Sequence, residues 1–222
     1  MNNDLKKSGL ALDIDDTLSW TCREWAHLLL TEFGNPENLS KHEFEKKYRL
    51  IENAPYFQKD DVLTRCYELC MDNNSYHWLP PIEGAQQAIR EIEQVIPIAA
   101  YITARPESLR DTTSAWLETH GFPKAELIMN PEEFSIQRRG SWKQEVLEKL
   151  YPRITGIIDD HFNICNALSN DYPGVVFLYR HERTASLHSR AIACGEWDDV
   201  VTQVRNYYIR EESSLCQSTE PA

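Results

Sequence analysis

Three acidic residues fall within four positions after a short apolar run, in Leu10-Ala11-Leu12-Asp13-Ile14-Asp15-Asp16-Thr17-Leu18. Gly9–Leu12 shows no helical period and is bounded by polar sequence, the pattern of a buried strand. Asp13 and Asp15 follow it two positions apart, and residues i and i+2 of a strand face one side. Open parallel sheets bind ligands at the carboxyl ends of their strands. Two carboxylates held this closely repel each other, and a hard divalent cation relieves the repulsion. Taken alone, the motif also fits a solvated turn or a helix cap. It does not fit a calcium loop: the sixth position would be Leu18 where glycine is needed, and a strand precedes it rather than a helix.

Other strand ends carry reactive groups. The apolar stretch Pro97–Thr103 ends in Thr103-Ala104-Arg105-Pro106, and Ile154–Ile158 ends in Asp159-Asp160. Lys143 opens the helix expected over Ser141–Leu150, with Arg138, Arg139 and Lys149 as rival cations. Brought to one sheet edge, these groups suit phosphoryl transfer through an aspartate. One carboxylate attacks, a second exchanges a proton with the leaving oxygen, and others complete a Mg²⁺ shell. A hydroxyl, backbone amides and an ammonium hold the equatorial oxygens as charge spreads over them. Thr103 either binds phosphate or caps the next helix. Arg105 either binds phosphate or pairs with Glu107. Trp116 and Leu117 read as core.

The ordered set resembles the haloacid dehalogenase superfamily of aspartate-nucleophile phosphohydrolases. Asp-Ile-Asp-Asp-Thr-Leu at 13–18 resembles its first motif, and Tyr-Ile-Thr ending at Thr103 its second. Lys143 resembles its third, and Ile-Ile-Asp-Asp ending at Asp160 its fourth. The likeness covers about residues 9–180. It implies a three-layer, Rossmann-like α/β core with a parallel sheet and a small helical cap. It also implies Mg²⁺ and a set of roles. Asp13 would be nucleophile and metal ligand, and Asp15 general acid/base with its backbone carbonyl on the metal. Thr103, the amide of Ala104 and Lys143 would bind phosphate. Asp159 would be a direct metal ligand and Asp160 a closer or water-mediated one. Asp16 stands where many members have glycine. Phosphotransfer to another acceptor, mutase chemistry and a non-catalytic phospho-ligand module would use the same positions.

The elements that must position these groups follow from periodicity. Residues 19–80 contain helical patterns at Ser19–Phe33, after Ser40 (whose spacing to Glu43 is that of a capping box) and at Asp60–Met71, with no strand between them. This segment reads as a helical cap inserted into a core of 1–18 and 81–210, with 211–222 as a disordered tail. From Ile82 onward, strands alternate with helices, which indicates a parallel sheet covered on both faces. Cap placement, the Ile-Asp-Asp of the fourth motif and chain length resemble the 5'(3')-deoxyribonucleotidases. A nucleotide, a sugar phosphate or another small monoester is the expected partner. Arg105, Trp20, Tyr56 and Phe57 are candidate substrate contacts, along with Trp25, Tyr76 and Trp78. Aromatic rings of this kind either stack on a base or form the core of the insertion.

The 222 residues include 23 basic and 35 acidic side chains, a net charge of −12. That sign disfavours long nucleic acid, whose affinity comes from neutralised phosphates. No apolar run approaches the roughly 20 residues that span a bilayer, and Met1–Ser8 lacks a signal-peptide pattern. A cytoplasmic protein is expected, with no membrane partner. The six cysteines have neither zinc nor disulfide spacing and read as free thiols. Nothing in the sequence specifies an oligomeric state.

Overall fold

The computed structural model describes residues 8–131, 139–182 and 187–217. Six parallel strands form one sheet in the order β3-β2-β1-β4-β5-β6. They are β1 (Gly9–Leu12), β2 (Ile98–Pro106), β3 (Glu126–Asn130), β4 (Ile154–Asp159), β5 (Val175–Tyr179) and β6 (Ala191–Cys194). The helices are α1 (Thr21–Phe33), α2 (Lys41–Tyr48), α3 (Asp60–Met71), α4 (Ala85–Ile92), α5 (Arg110–Thr119), α6 (Arg139–Leu150), α7 (Asn163–Ala167) and α8 (Trp197–Gln217). The result is the expected three-layer, Rossmann-like α/β fold.

Alternation along the strands sorts side chains between two layers. Leu10 and Leu12 of β1 share a core with Ile89 of α4, Trp116 of α5 and Val200 of α8. Ala11, between them, shares the opposite core with Leu147 of α6 and Ile164 of α7. β1 lies centrally, paired with β2 and β4. The ends of these three strands therefore sit side by side. β4 also runs very close to β5: a Cβ on Gly156 would lie 2.5 Å from the Val175 carbonyl oxygen.

The segment between β1 and α4 is helical and has its own core, in which Trp25, Leu29, Phe44 and Phe57 meet Leu109 and Met129 of the sheet unit. Its two ends are stitched together. Trp20 N–H donates to the Pro80 carbonyl at 3.1 Å, and Ile82 N–H to the Leu18 carbonyl at 2.7 Å. The capping box forms: Ser40 Oγ accepts from Glu43 N–H, and the Glu43 carboxylate accepts from Ser40 N–H at 2.8 Å.

Three readings are corrected. β6 was not expected. It is a four-residue edge strand with mostly half-buried residues, and its identity comes from its pairing with β5. The last helix continues through 211–217, a stretch read as disordered tail; residues 218–222 lie outside the described residues. The helix expected over Glu107–His120 begins as a separate 3-10 turn, Glu107–Leu109. The five described cysteines are free. Among the described residues no helix is long and apolar enough to cross a membrane.

Candidate active site

Asp13 prolongs the β1–β4 pairing, its N–H donating to the Ile158 carbonyl at 2.9 Å. Its carboxylate and that of Asp159 therefore emerge from adjacent strands. Lys143 of α6 reaches between them, with Nζ 2.7 Å from Asp13 Oδ1 and 2.7 Å from Asp159 Oδ2. All three side chains are buried. Asp160 follows at the strand end, its N–H donating to Thr17 Oγ1 at 3.1 Å. One carboxylate oxygen from each of Asp13, Asp159 and Asp160 lies within 4.8 Å of the others.

One buried ammonium does not balance this cluster. Burial, the largest cause, raises the Asp13 carboxyl from 3.8 to about 7; Lys143 opposes it, while Asp159 and Asp15 add to it. Burial also pushes Asp160 well up, aided by the charges of Asp16, Asp159 and Asp13. Lys143 is itself disfavoured as a cation by burial, yet Asp13 and Asp159 outweigh that and raise it above its ordinary value. An all-oxygen set of buried carboxylates carrying excess negative charge is the donor chemistry of a hard divalent cation. The residues thus fit Mg²⁺.

Asp15 is held apart from the cluster. Arg105 grips it with both faces of its fork, Nη2 to Oδ1 at 2.8 Å and Nε to Oδ2 at 3.0 Å. Thr21 Oγ1 donates to the same Oδ1 at 2.6 Å. Arg105 is 2 % exposed. Its guanidinium lies 4.2 Å from the Tyr76 ring centroid, and Nη1 donates to Thr113 Oγ1 at 3.3 Å. Asp16 turns away through a left-handed backbone (φ 58°) and accepts from Cys22 N–H at 2.9 Å, capping the first turn of α1. Burial lifts its carboxyl to about 6, countered by the hydrogen bond from Cys22.

A cavity of about 140 Å³ opens over this floor, lined by Asp13, Asp15, Ala104, Arg105, Lys143, Asp159 and Asp160. Thr103 is fully buried and is not part of the lining; its Oγ1 accepts from Arg105 N–H at 3.2 Å. Of the two readings of Arg105, the pair with Glu107 does not form: Glu107 pairs with Arg110. Of the rivals of Lys143, Lys149 is exposed, Arg138 lies outside the described residues, and nothing is described of the Arg139 side chain.

The aromatic candidates divide. Phe57, Trp25 and Tyr76 line the cavity. Trp20 and Tyr56 do not. The Trp20 indole donates to Glu83 at 2.7 Å and lies between the guanidinia of Arg23 and Arg180. Tyr56 packs edge-on against Tyr48 and Phe57. Trp78 is 40 % exposed and is also absent from the lining.

Sequence reasoning missed Thr21 and Arg49. Arg49 ends α2 with φ 61° and reaches the sheet edge. Its Nη2 donates to the Asp160 carbonyl at 2.6 Å and its Nη1 to the Arg180 carbonyl at 3.0 Å. Beside it, Arg180 pairs with Glu45 of α2. A hydroxyl three residues after the Thr17-Leu18 step was a weak signal for Thr21. Arg49 offered none, since its partners lie 111 and 131 positions away.

A parallel sheet between helical layers, with a lysine-bridged cluster of buried carboxylates at its carboxyl edge, defines the class, a Rossmann-like α/β protein. The particular likeness is to a Had-superfamily hydrolase from Ehrlichia chaffeensis, with a TM-score of 0.51 and 17 % identity over 90 % of this chain and 97 % of that one. A haloacid dehalogenase-like hydrolase from Xanthomonas campestris matches at a TM-score of 0.48 and 14 % identity, over 92 % and 97 % of the two chains. No protein-family model matches the chain, and no curated protein matches it.

Proposed function

We propose that the protein is a Mg²⁺-dependent phosphomonoester hydrolase of the haloacid dehalogenase superfamily, acting through an aspartyl-phosphate. The observation that carries this is the division of labour between two carboxylates two residues apart. Asp13 sits in the cation cluster against Lys143, while Asp15 is held outside it by Arg105. A nucleophile must be ionised, which for Asp13, raised to about 7 without metal, a bound divalent cation would secure. Asp15, outside the cation cluster, is left to exchange a proton with the leaving oxygen.

In this reading an Asp13 oxygen forms a bond to phosphorus as the ester P–O bond breaks. Asp15 gives its proton to the departing alcohol. Asp15 then takes a proton from water, whose oxygen displaces phosphate from Asp13. Lys143 holds charge on the transferring group and on Asp13. Arg105 and Thr21 act on Asp15 as positioning residues. Thr103, with no face on the cavity, contributes through the strand end that carries Ala104 and Arg105. Asp13, Asp159 and Asp160, with the Asp15 carbonyl, would hold Mg²⁺, which neutralises phosphoryl charge when bound. Residues 19–80 form the cap. A nucleotide substrate keeps Trp25, Phe57 and Tyr76 as candidate stacking faces but has no support from Trp20 or Tyr56.

The test is phosphate release from a panel of phosphomonoesters with and without Mg²⁺. Wild type is expected to release phosphate only with the metal. Asp13→Asn is expected to lose at least about 10³-fold in rate with its thermal transition retained. Equal turnover by that variant would refute the assignment.

A further inference from the structure

The leaving group has to fit the walls of the cavity, and these differ sharply from its floor. They come from the helical segment: Trp25 of α1, Leu50, Ile51, Phe57, Leu63 and Tyr76. The polar atoms on the two large rings face away from any ligand. Trp25 Nε1 donates to the Ser75 carbonyl at 3.2 Å, and Tyr76 Oη donates to the Cys70 carbonyl at 3.0 Å. Cys66 and Cys70 complete the wall. Burial pushes the Cys66 thiol up to about 11, so it is neutral and behaves as a small apolar group.

Hydrogen-bonding capacity is scarce on the helical wall; the polar side chains His161 and Asn163 lie on the sheet side of the lining, beside Asp160. Thr21 spends its hydroxyl on Asp15. Both lining cations among the described residues are committed, Lys143 to Asp13 and Asp159 and Arg105 to Asp15. Glu52 stands at the exposed side of the wall, where it repels a second anionic group. A sugar would bury several hydroxyls against such a wall without partners, at a cost per group. The size points the same way. At about 140 Å³ the cavity is smaller than the roughly 300 Å³ at which drug-sized ligand sites begin. The phosphoryl group takes part of that volume at the floor, so the leaving group it admits is small.

We propose that the site takes the monophosphate ester of a small apolar alcohol, aryl or short alkyl, with its hydrocarbon against the walls contributed by α1, α3 and the Leu50–Phe57 turns. This rests on the phosphomonoesterase reading. The reaction balances as ester plus water giving alcohol plus inorganic phosphate, with the proton of water passing through Asp15 to the alcohol.

The experiment measures kcat/KM of the full chain with Mg²⁺ on ethyl, propyl, butyl and phenyl phosphate, against glucose 6-phosphate, ribose 5-phosphate and nucleoside 5'-monophosphates. Each buried methylene should raise kcat/KM about fourfold. Phenyl and butyl phosphate should exceed every polar ester by at least tenfold. In Ile51→Asn, a partly exposed wall position, the gain per methylene should shrink while the thermal transition holds. A flat alkyl series, or a sugar phosphate or nucleotide ranked first, overturns the inference and leaves the hydrolase reading standing. Absence of Asp13-dependent release from every ester overturns the hydrolase reading instead. Calorimetric binding of butyl- and phenylphosphonate against a hydroxylated phosphonate then decides the pocket. Tighter apolar binding with a negative heat-capacity change supports the wall assignment, and equal affinities overturn it.

Discussion

Asp13, Asp15 and Asp16 occupy four consecutive positions with Ile14, yet each carboxylate meets a different partner: Lys143, Arg105 and the α1 amide of Cys22. Their separation depends on Arg105 most directly, because it is buried and its fork matches the carboxylate. Arg105→Ala leaves Asp15 without its counter-charge and is expected to cost about 3–5 kcal/mol in a denaturant titration. Arg105→Lys keeps the charge without the fork and should restore stability more than turnover, which separates positioning of Asp15 from mere folding. Asp16 offers a pH-dependent contrast. Its carboxyl is raised from 3.8 to about 6, so the folded state holds a proton that the unfolded state has released. Stability is therefore lost as pH rises from about 4 to 6 and stays lost above. Asp16→Asn keeps a residue that tolerates the left-handed backbone. It is expected to stabilise the metal-free protein by on the order of 1 kcal/mol at pH 8 and to have no such effect near pH 4, as read from thermal unfolding at both.

Among the elements, α2 decides how the helical segment meets the sheet. Its start is set locally by the Ser40–Glu43 box, and its end carries Arg49 to the ends of β4 and β5. Glu45, one turn earlier, pairs with Arg180. Arg49 thus donates to the carbonyls just past the ends of β4 and β5, that of Asp160 also meeting His181 Nε2 at 2.8 Å. Arg49→Ala is expected to cost about 1–3 kcal/mol. Hydrogen exchange should speed up in α2 before it does in β1 or β4, because the segment keeps its own core while losing its tie to the sheet. Uniform loss of protection across the chain would show that α2 and the sheet unfold as one unit.

At the scale of the whole molecule the net charge is −12, and at one buried point three carboxylates, Asp13, Asp159 and Asp160, gather with a single lysine that pairs with the first two. With Asp13 raised from 3.8 to about 7 and Asp160 raised further, the folded state binds protons that the unfolded state does not. In chelator, the melting temperature should fall as pH rises from about 4 through 7. Mg²⁺ at a hundred times its dissociation constant should restore about 2.7 kcal/mol at pH 8 and have little effect near pH 4, where protons occupy the same oxygens. A melting temperature indifferent to Mg²⁺ at pH 8 would remove the cation from the site.

What the sequence by itself determined is local or periodic. Gly9–Leu12 is a short unbroken apolar run bounded by polar sequence and forms a strand, Ser40 and Glu43 cap a helix within four residues, and the strand–helix alternation after Ile82 specifies a parallel sheet. That Asp13, Asp159 and Asp160 meet was legible because strand ends of such a sheet converge at one edge; Lys143, on a helix, was singled out only by its resemblance to the third motif, against Arg138, Arg139 and Lys149. Only the tertiary structure decided that Arg105 grips Asp15, 90 positions away, rather than Glu107, two away. It decided that Trp25 faces the cavity while Trp20, five residues earlier on the same stretch, is closed off by Glu83 and two arginines. It made Ala191–Cys194 a strand by giving it β5 as a neighbour. The physical reason is common to all three. Backbone period and capping are settled by residues within a few positions. A charge or a ring in a folded chain takes its partner from whatever burial brings within a few ångströms, and spacing along the chain does not encode that distance.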